Sequence, residues 1–255
     1  MSVHSMTETP MVIQADWNVP ENVVAVVTTR SGGTSQAPFA GFNLANHVGD
    51  DFSAVSQNRA LIAKYLDPNL HFQWLQQQHG IAVVDATNCE HLPRADGLIA
   101  RRVGVACCVL TADCLPIFFA SKQGDEVAIV HAGWRGLVAG IIEKTIEKLN
   151  TKRGQLTVWL GPAIGPCHFE IGAKVKDAFL HGATSICAED CFTPVAREEK
   201  YMANLYSIAK HILIANGVMD ICGGNHCTYC SDDLYYSYRR DGNTGRMASI
   251  IYLSS

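Results

Sequence analysis

The stretch Leu110-Thr-Ala-Asp-Cys-Leu-Pro116, followed by Val130-His-Ala-Gly-Trp-Arg-Gly136, decides how the chain is read. The apolar run from Val103 to Leu110 leads into Cys114. It reads as a strand buried on both faces, because a half-exposed strand would alternate polar and apolar residues. A second run, Glu126 to Val130, ends at His131. Adjacent strand ends would bring a thiolate and an imidazole into one pocket. A third candidate, His79, lies in Trp74-Leu-Gln-Gln-Gln-His-Gly80. One thiolate and two imidazoles suit zinc or copper and leave a coordination position open for water or substrate. The gaps of 35 (114−79) and 17 (131−114) match no local zinc-finger spacing. The case rests instead on placement at strand ends beside Gly, Pro or Asp, where pockets form. Cys114 and His131 also make a nucleophilic Cys/His dyad. Ligand and nucleophile are alternatives for the same sulfur.

Upstream, residues 1 to about 20 read as a loosely held tail and Asn22 to Thr29 as a strand. Arg30-Ser-Gly-Gly-Thr-Ser35 is either an ordinary glycine turn or a loop whose amides meet an anion, with Arg30 at its entrance. Gly41 to Asp51 is loop-like. Ser53 to Tyr65 has helical spacing, with Val55, Leu61, Ile62 and Tyr65 near one face and Ser53 as N-cap. Phe72 to Gln77 and Ile81 to Asp85 read as two strands around a turn at His79-Gly80. Glu90 to Ala95 is a loop, and Leu98 to Ala100 a short strand.

Downstream, Pro116 to Ala120 is a further strand. Arg135 to Leu149 reads as one amphipathic helix, striped by Val138, Ile142, Thr145 and Leu149. Its first amides, with Arg135, make a candidate anion site beside the metal ligands. Trp134 serves either the core or stacking on a flat ring. Gln155 to Leu160 is a strand, Gly161-Pro-Ala-Ile-Gly-Pro166 a rigid loop, and Gly172 to Leu180 a helix. Residues 182 to 200 read as irregular. Ala203 to Asn216 is helical and stops at Gly217. Tyr235 to Arg239 and Met247 to Leu253 read as closing strands. The economical architecture is a single α+β domain, residues 21–255, with a strand-rich core and outer helices.

Hydrophobic residues make up 48% of the 255 positions and charged residues 17%, which places the chain among globular proteins. A net charge of −4 and the lack of a basic run argue against nucleic acid or anionic membrane as partner. The ten cysteines would fit disulfides in a secreted protein. No basic n-region and apolar h-region open the chain, and several cysteines sit in apolar runs, so buried free thiols in a cytoplasmic protein are expected. Cys227-Thr-Tyr-Cys230, with Cys222 and His226, is a rival site, either a zinc knuckle or a redox pair. Cys187 and Cys191 offer a further C-x3-C.

Several blocks together resemble the YfiH family, whose members are also labelled polyphenol oxidase, laccase-domain protein or purine nucleoside phosphorylase. They are Thr29-Arg30 with Gly32-Gly33, Gln77-x-His79-Gly80, Thr111-Ala-Asp-Cys-Leu-Pro116, Val130 to Gly136, Gly161-Pro-Ala-Ile-Gly165 and Ser237-Tyr-Arg-Arg-Asp241. The resemblance runs from about Val23 to Leu253. It implies a four-layer α-β-β-α sandwich, also seen in a bacterial toxin cysteine hydrolase domain, and a zinc held by His79, Cys114 and His131, with copper as the other metal. It implies phosphorolysis of adenosine, inosine and methylthioadenosine, plus deamination of adenosine. Some members are associated with editing of cell-wall precursors, which would make the protein a cysteine amidohydrolase.

On this reading Asp113 joins the three ligands as a catalytic residue handling a proton. Arg30, Asn43, Arg59, Gln77, Arg135 and Arg239 are the candidates for holding nucleoside and phosphate, although Arg59 on its helix also reads as a solvated residue. The expected assembly is a monomer or weak homo-oligomer. The laccase label fits poorly, because blue multicopper oxidases need paired His-x-His motifs and this sequence contains none. One departure is Asn204-Leu205, where many members have Asp-Leu.

Overall fold

Every residue from Val105 to Thr111 is buried, and neighbours point into different cores. Cys107 and Val109 enter one, whereas Ala106, Cys108 and Leu110 enter another. Alternate residues of a strand face opposite sides of a sheet. A strand apolar on both sides must therefore lie in a sheet covered on both faces.

The computed structural model describes residues 11–89, 91–181 and 189–255. The elements follow in chain order. The first are β1 (Val12–Gln14), β2 (Val23–Thr28), α1 (Phe52–Leu66), β3 (His71–Gln73), β4 (Val83–Asp85), β5 (Gly97–Ala100) and β6 (Val105–Thr111). Then come β7 (Leu115–Ser121), β8 (Val127–Ala132), α2 (Trp134–Ala139), α3 (Ile141–Lys148) and β9 (Leu156–Leu160). The chain continues with β10 (Glu170–Gly172), α4 (Ala173–His181), β11 (Phe192–Pro194), β12 (Lys200–Ala203) and α5 (Leu205–Ala215). It ends with β13 (Asp220–Gly223), α6 (Tyr238–Asp241) and β14 (Met247–Leu253).

One sheet has the order β1-β2-β14-β6-β3, a second β13-β9-β7-β8-β5-β4, and a small third β10-β12-β11. The first two share a core. From the first sheet, Ala25, Val27, Cys107, Val109, Met247 and Ile251 meet Leu98, Phe118, Val127, Ile129 and Trp159 of the second. The outer face of the first sheet packs on Ile62 of α1 and on Phe42 and Leu44. The outer face of the second packs on Leu137, Ile141, Ile142 and Ile146 of α2 and α3 and on Ile208 and Ile212 of α5. The molecule is thus a mixed α/β domain. Every cysteine among the described residues is a free thiol. Burial pushes the Cys107 and Cys108 thiols up, so both act as small apolar groups.

Several sequence expectations are corrected. Part of the expected N-terminal tail is a strand, since Val12–Gln14 pairs with β2, Val12 opposite Thr28; residues 1–10 lie outside the described residues. The expected strands around His79-Gly80 do not form a hairpin. β3 pairs in parallel with β6 of one sheet, and β4 pairs in parallel with β5 of the other. The His79 segment is a crossing between sheets.

Helix α1 is capped by Asp51, whose side chain accepts from the Ala54 amide at 2.9 Å, and not by Ser53. Its inner face is Val55, Asn58 and Ile62, whereas Leu61 and Tyr65 are exposed. Spacing of three and four favours that face, and buried Asn58 is tolerated because its polar atoms are satisfied. Its Oδ1 accepts from the Thr34 amide at 2.9 Å, and its Nδ2 faces Ser35 Oγ, Asn43 O and Gly41 O at 3.0, 2.9 and 3.3 Å.

The helix expected over Arg135 to Leu149 is two helices. Gly140 sits between them at φ 99°, ψ 35°, a left-handed conformation that breaks the helical run. Tyr235 to Arg239 is not a strand; α6 begins at Tyr238, capped by Ser237 Oγ. The span read as irregular contains β11 and the start of β12, and its residues 182–188 lie outside the described residues, as do Cys187 and Glu90. Asn204 caps α5, accepting from the Tyr206 and Ser207 amides, so it does what an Asp would do there.

Two stability outcomes follow. Asn58→Ala leaves the Thr34 amide and the Asn43 carbonyl without their partner and should cost about 2 kcal/mol. Gly140→Ala puts a Cβ on a left-handed residue and should cost about 1–2 kcal/mol. Urea unfolding at constant m-value reads both, and a shift under about 0.5 kcal/mol in either would contradict the role assigned.

Candidate functional site

The short connection between β6 and β7 carries Cys114, and β8 carries His131. Because β7 and β8 are antiparallel with Pro116 opposite His131, the thiol and the imidazole emerge at the same end of the sheet. The crossing segment between β3 and β4 brings His79 to the same point. Cys114 Sγ lies 3.8 Å from His79 Nε2. The two imidazole rings meet edge to face, with centroids 4.7 Å apart at 82°. One ligating atom from each residue falls within 4.8 Å of the others. Gly133 makes the approach possible. A Cβ there would lie 2.8 Å from His79 Cδ2 and 3.2 Å from Cys114 Sγ.

Asp96 fixes this arrangement. It is only 1% exposed. Its Oδ1 accepts from His131 Nδ1 at 2.8 Å and from the His79 amide at 2.9 Å. Its Oδ2 accepts from the Gly80 amide at 2.7 Å, and the Gln78 amide is 3.2 Å from both oxygens. These bonds outweigh burial and hold the Asp96 carboxyl below its ordinary pKa. His79 itself has φ 56°, a left-handed conformation secured by the same carboxylate.

Burial alone would push the Cys114 thiol up. The charge and hydrogen bond of His131, with those of His79, outweigh it and bring the thiol down to about 6. Burial would likewise lower His131, but the Cys114 charge and the Asp96 hydrogen bond raise it to about 9. Without a metal the pair therefore favours thiolate and imidazolium.

The donor set fits a metal ion. With Zn–S near 2.3 Å and Zn–N near 2.0–2.1 Å, a tetrahedral site needs S···N separations of about 3.5 Å. The sulfur–nitrogen distance of 3.8 Å is close to that. Asp96 on His131 Nδ1 leaves the other ring nitrogen for the metal, the usual way a carboxylate orients a ligating histidine.

These groups open into a pocket of about 540 Å³. Among residues expected at the site, His79, Cys114, His131, Asp113, Gln77, Arg135 and Arg239 line it. Asp113 is committed to the fold. Its Oδ1 accepts from Thr228 Oγ1 and its Oδ2 from the Arg239 amide, both at 2.7 Å. The Gln77 amide is likewise clamped on both backbone groups of Leu110.

Arg30, Asn43 and Arg59 do not line the pocket. Arg30 donates to Asp232 O and lies over the Tyr236 ring. Asn43 bonds Ala45 O and Asp50. Arg59 holds Leu44 O through two nitrogens and stacks on Trp74 at 4.1 Å. Within the Arg30 loop, the Ser31 amide is spent on Thr29 Oγ1 and the Thr34 amide on Asn58 Oδ1 of α1. The anion site expected at a long helix after His131 meets only the six-residue α2. Cys227 and Cys230 do come together with other ligands, but these are Cys167 and His168, not Cys222 and His226.

The sequence reading missed His47, Asp96, Arg246 and Thr111. His47 and Arg246 line the pocket. Burial, then Arg246, Arg59 and His131, hold His47 below its ordinary pKa, so it is neutral near pH 7. Thr111 Oγ1 is buried at the pocket wall and has no hydrogen-bond partner among the described residues. The one available signal was an acidic residue, Asp96, beside Gly97 near a strand start. Thr111 lies inside the Leu110–Pro116 block, and nothing local marks His47 or Arg246.

The family described as multi-copper polyphenol oxidoreductase laccase matches residues 24–254. A purine nucleoside phosphorylase of Pseudomonas aeruginosa is 47% identical over 238 residues, covering 93% of this chain and 96% of the relative. The purine nucleoside phosphorylase YfiH of Escherichia coli is 41% identical over 244 residues, covering 94% and 98%. A crystal structure of a Neisseria meningitidis protein of the DUF152 family superposes with a TM-score of 0.92 at 40% identity, covering 96% of this chain and all of that one. YlmD of Geobacillus stearothermophilus superposes with a TM-score of 0.83 at 32% identity, covering 92% and 93%. By sequence along nearly its whole length and by fold, the chain belongs to the laccase-like YfiH family.

Proposed function

We propose that this protein is a zinc-dependent purine nucleoside phosphorylase, acting on adenosine, inosine and methylthioadenosine, with adenosine deaminase activity. The observation that carries this reading is one pocket in which the His79–Cys114–His131 trio faces a wall of arginines, Arg135, Arg239 and Arg246. About 540 Å³ is within the range of small-molecule sites. The layered packing of α1, two sheets and the α2, α3 and α5 group supports a four-layer α-β-β-α sandwich. No described helix is long and apolar enough to cross a membrane. A cytoplasmic enzyme is the reading we favour.

In phosphorolysis a phosphate oxygen forms a bond to C1′ of the ribose. The C1′–N9 bond breaks, and its electron pair leaves with the purine. The phosphate needs a cation that is not already spent. Arg239 donates to His168 O and Glu170 O, and Arg246 to Thr244 O and Gly245 O. Arg135 rests on the Trp134 ring at 4.4 Å and has no hydrogen bond or ion pair to another described residue. It is the guanidinium best placed for phosphate. The unpartnered Thr111 hydroxyl and neutral His47 suit the polar edge of a nucleoside. In deamination water replaces the 6-amino group, which leaves as ammonia. When bound, zinc would supply the Lewis acidity that activates that water.

A second reading, a cysteine amidohydrolase acting on a cell-wall precursor, is favoured by the Cys114–His131–Asp96 line of hydrogen bonds. That line orients a thiolate and its base as a nucleophilic triad would. A covalent Cys114 adduct trapped with such a substrate, and no purine released from nucleosides with phosphate, would replace the phosphorylase reading. The copper oxidase reading has no such support beyond the ligand types.

Three outcomes test the proposal. Metal analysis of a Cys114→Ala, His131→Ala double variant should show one zinc equivalent fewer than the parent; unchanged stoichiometry would remove the assigned ligands. Asp96→Asn should weaken metal binding at this trio about 10–100-fold, read by competition with a chromophoric chelator. Arg135→Met should cut phosphorolysis of adenosine by ~2–4 kcal/mol of transition-state stabilisation while deamination falls less. Free adenine and inosine are measured separately, and equal loss of both would show that Arg135 only supports the pocket.

A further inference from the structure

A second group of soft ligands lies outside the His79–Cys114–His131 trio. Cys167 and His168 come from the loop between β9 and β10, and Cys227 and Cys230 from the loop after β13. One ligating atom from each of the four lies within 4.8 Å of the others. Cys167 Sγ is 3.7 Å from Cys230 Sγ. His168 Nδ1 is 3.1 Å from Cys167 Sγ and 3.4 Å from Cys230 Sγ. A tetrahedral zinc with Zn–S near 2.3 Å requires S···S of about 3.7–3.8 Å and S···N of about 3.5 Å. The cluster has spacings close to these.

The surroundings favour a thiolate-rich metal site. The Gly165 amide donates to Cys227 Sγ at 3.2 Å, and the Tyr229 and Cys230 amides also point at that sulfur. The His168 ring is stacked on Tyr229, centroids 3.9 Å apart at 13°, which fixes its orientation. Two of the three thiols, Cys167 and Cys230, are exposed.

We propose that Cys167, His168, Cys227 and Cys230 bind a structural zinc ion that fastens a loop of the pocket wall to the loop that braces it. Four protein ligands close the coordination sphere, as a structural site requires, whereas the trio leaves it open. The first of the joined loops lines the pocket, and the second braces it from behind. The first carries Ile164 and Phe169, which line the pocket. The second carries Thr228, which holds Asp113, and its carbonyls at Thr228 and Tyr229 accept from Arg240 beside Arg239. The proposal depends neither on the reaction nor on a metal at the trio.

The test loads the Cys114→Ala chain with cobalt(II). That variant lacks the trio's only sulfur, so thiolate-to-cobalt charge-transfer absorption that depends on Cys167 and Cys230 comes from the second cluster. Absorption that survives their replacement comes from elsewhere, such as Cys191 beside Asp190 and His211, and would overturn the proposal. We expect a strong band of tetrahedral character, lost when Cys167→Ser and Cys230→Ser are added. With Cys114 intact, the same two substitutions should remove about one zinc equivalent per chain. They should also speed amide exchange across 164–169 and 227–230, with the trio's zinc retained. A cobalt-loaded Cys114→Ala chain without thiolate charge transfer would overturn the proposal even if the serine variants fail to fold. A Cys167–Cys230 or Cys227–Cys230 disulfide found by mass in protein purified under reducing conditions would also overturn it.

Discussion

The Asp96 carboxylate is the interaction on which the site depends. It is buried, ionised, and accepts hydrogen bonds from His131 Nδ1 and from three successive amides, Gln78, His79 and Gly80. A buried charge is costly unless it is fully paired. Here the pairing does two jobs with one group. It holds the sheet-crossing segment in a left-handed turn, and it orients the imidazole opposite that turn. His79 and His131 meet because both answer to the same carboxylate oxygen, Asp96 Oδ1. The backbone repeats the connection, since the His131 amide donates to Asp96 O at 2.7 Å.

The two large sheets explain why such a clamp is needed. The trio comes from a connection between sheets, a crossing segment, and a strand interior. None of these is adjacent in sequence. Packing of the sheets through Phe118, Ile129 and Trp159 against Cys107, Val109 and Ile251 sets the spacing of the strands that carry them. The small residues of the two motif blocks then allow close approach. Gly133 is the clearest case, with His79 and Cys114 both inside the space a Cβ would need.

The far wall of the pocket is assembled by side chains that serve the backbone. Asp113, at φ 96°, ties the Cys114 connection to Thr228 and to the start of α6. Arg239 and Arg240 spread over the carbonyls of neighbouring loops. Positive charge thereby collects around one cavity while most of its hydrogen-bonding capacity is used in holding loops. Arg135 is the exception, with its guanidinium lying on the Trp134 ring. A cleft with this charge pattern attracts anions and concentrates them near the ligand trio.

The sequence by itself determined the strand-rich centre, the free thiols and the grouping of His79, Cys114 and His131. It did so because doubly buried strands must be continuously apolar, and because Cys and His at strand ends lie where pockets form. The motif blocks also carried the family. Four things needed the tertiary structure. The crossing of the His79 segment between sheets is invisible locally, because parallel pairing with distant strands leaves no mark on a short run. The break at Gly140 lies within an unbroken amphipathic stripe, so periodicity passed over it. Arg30, Asn43 and Arg59 are polar residues near motif glycines, yet their partners are backbone carbonyls and side chains away from the pocket. Cys167 and His168 lie about 60 positions from Cys227 and Cys230, and only the packing of their two loops places them together. Contacts between distant segments are set by how the sheets stack, and a linear pattern does not encode that stacking residue by residue.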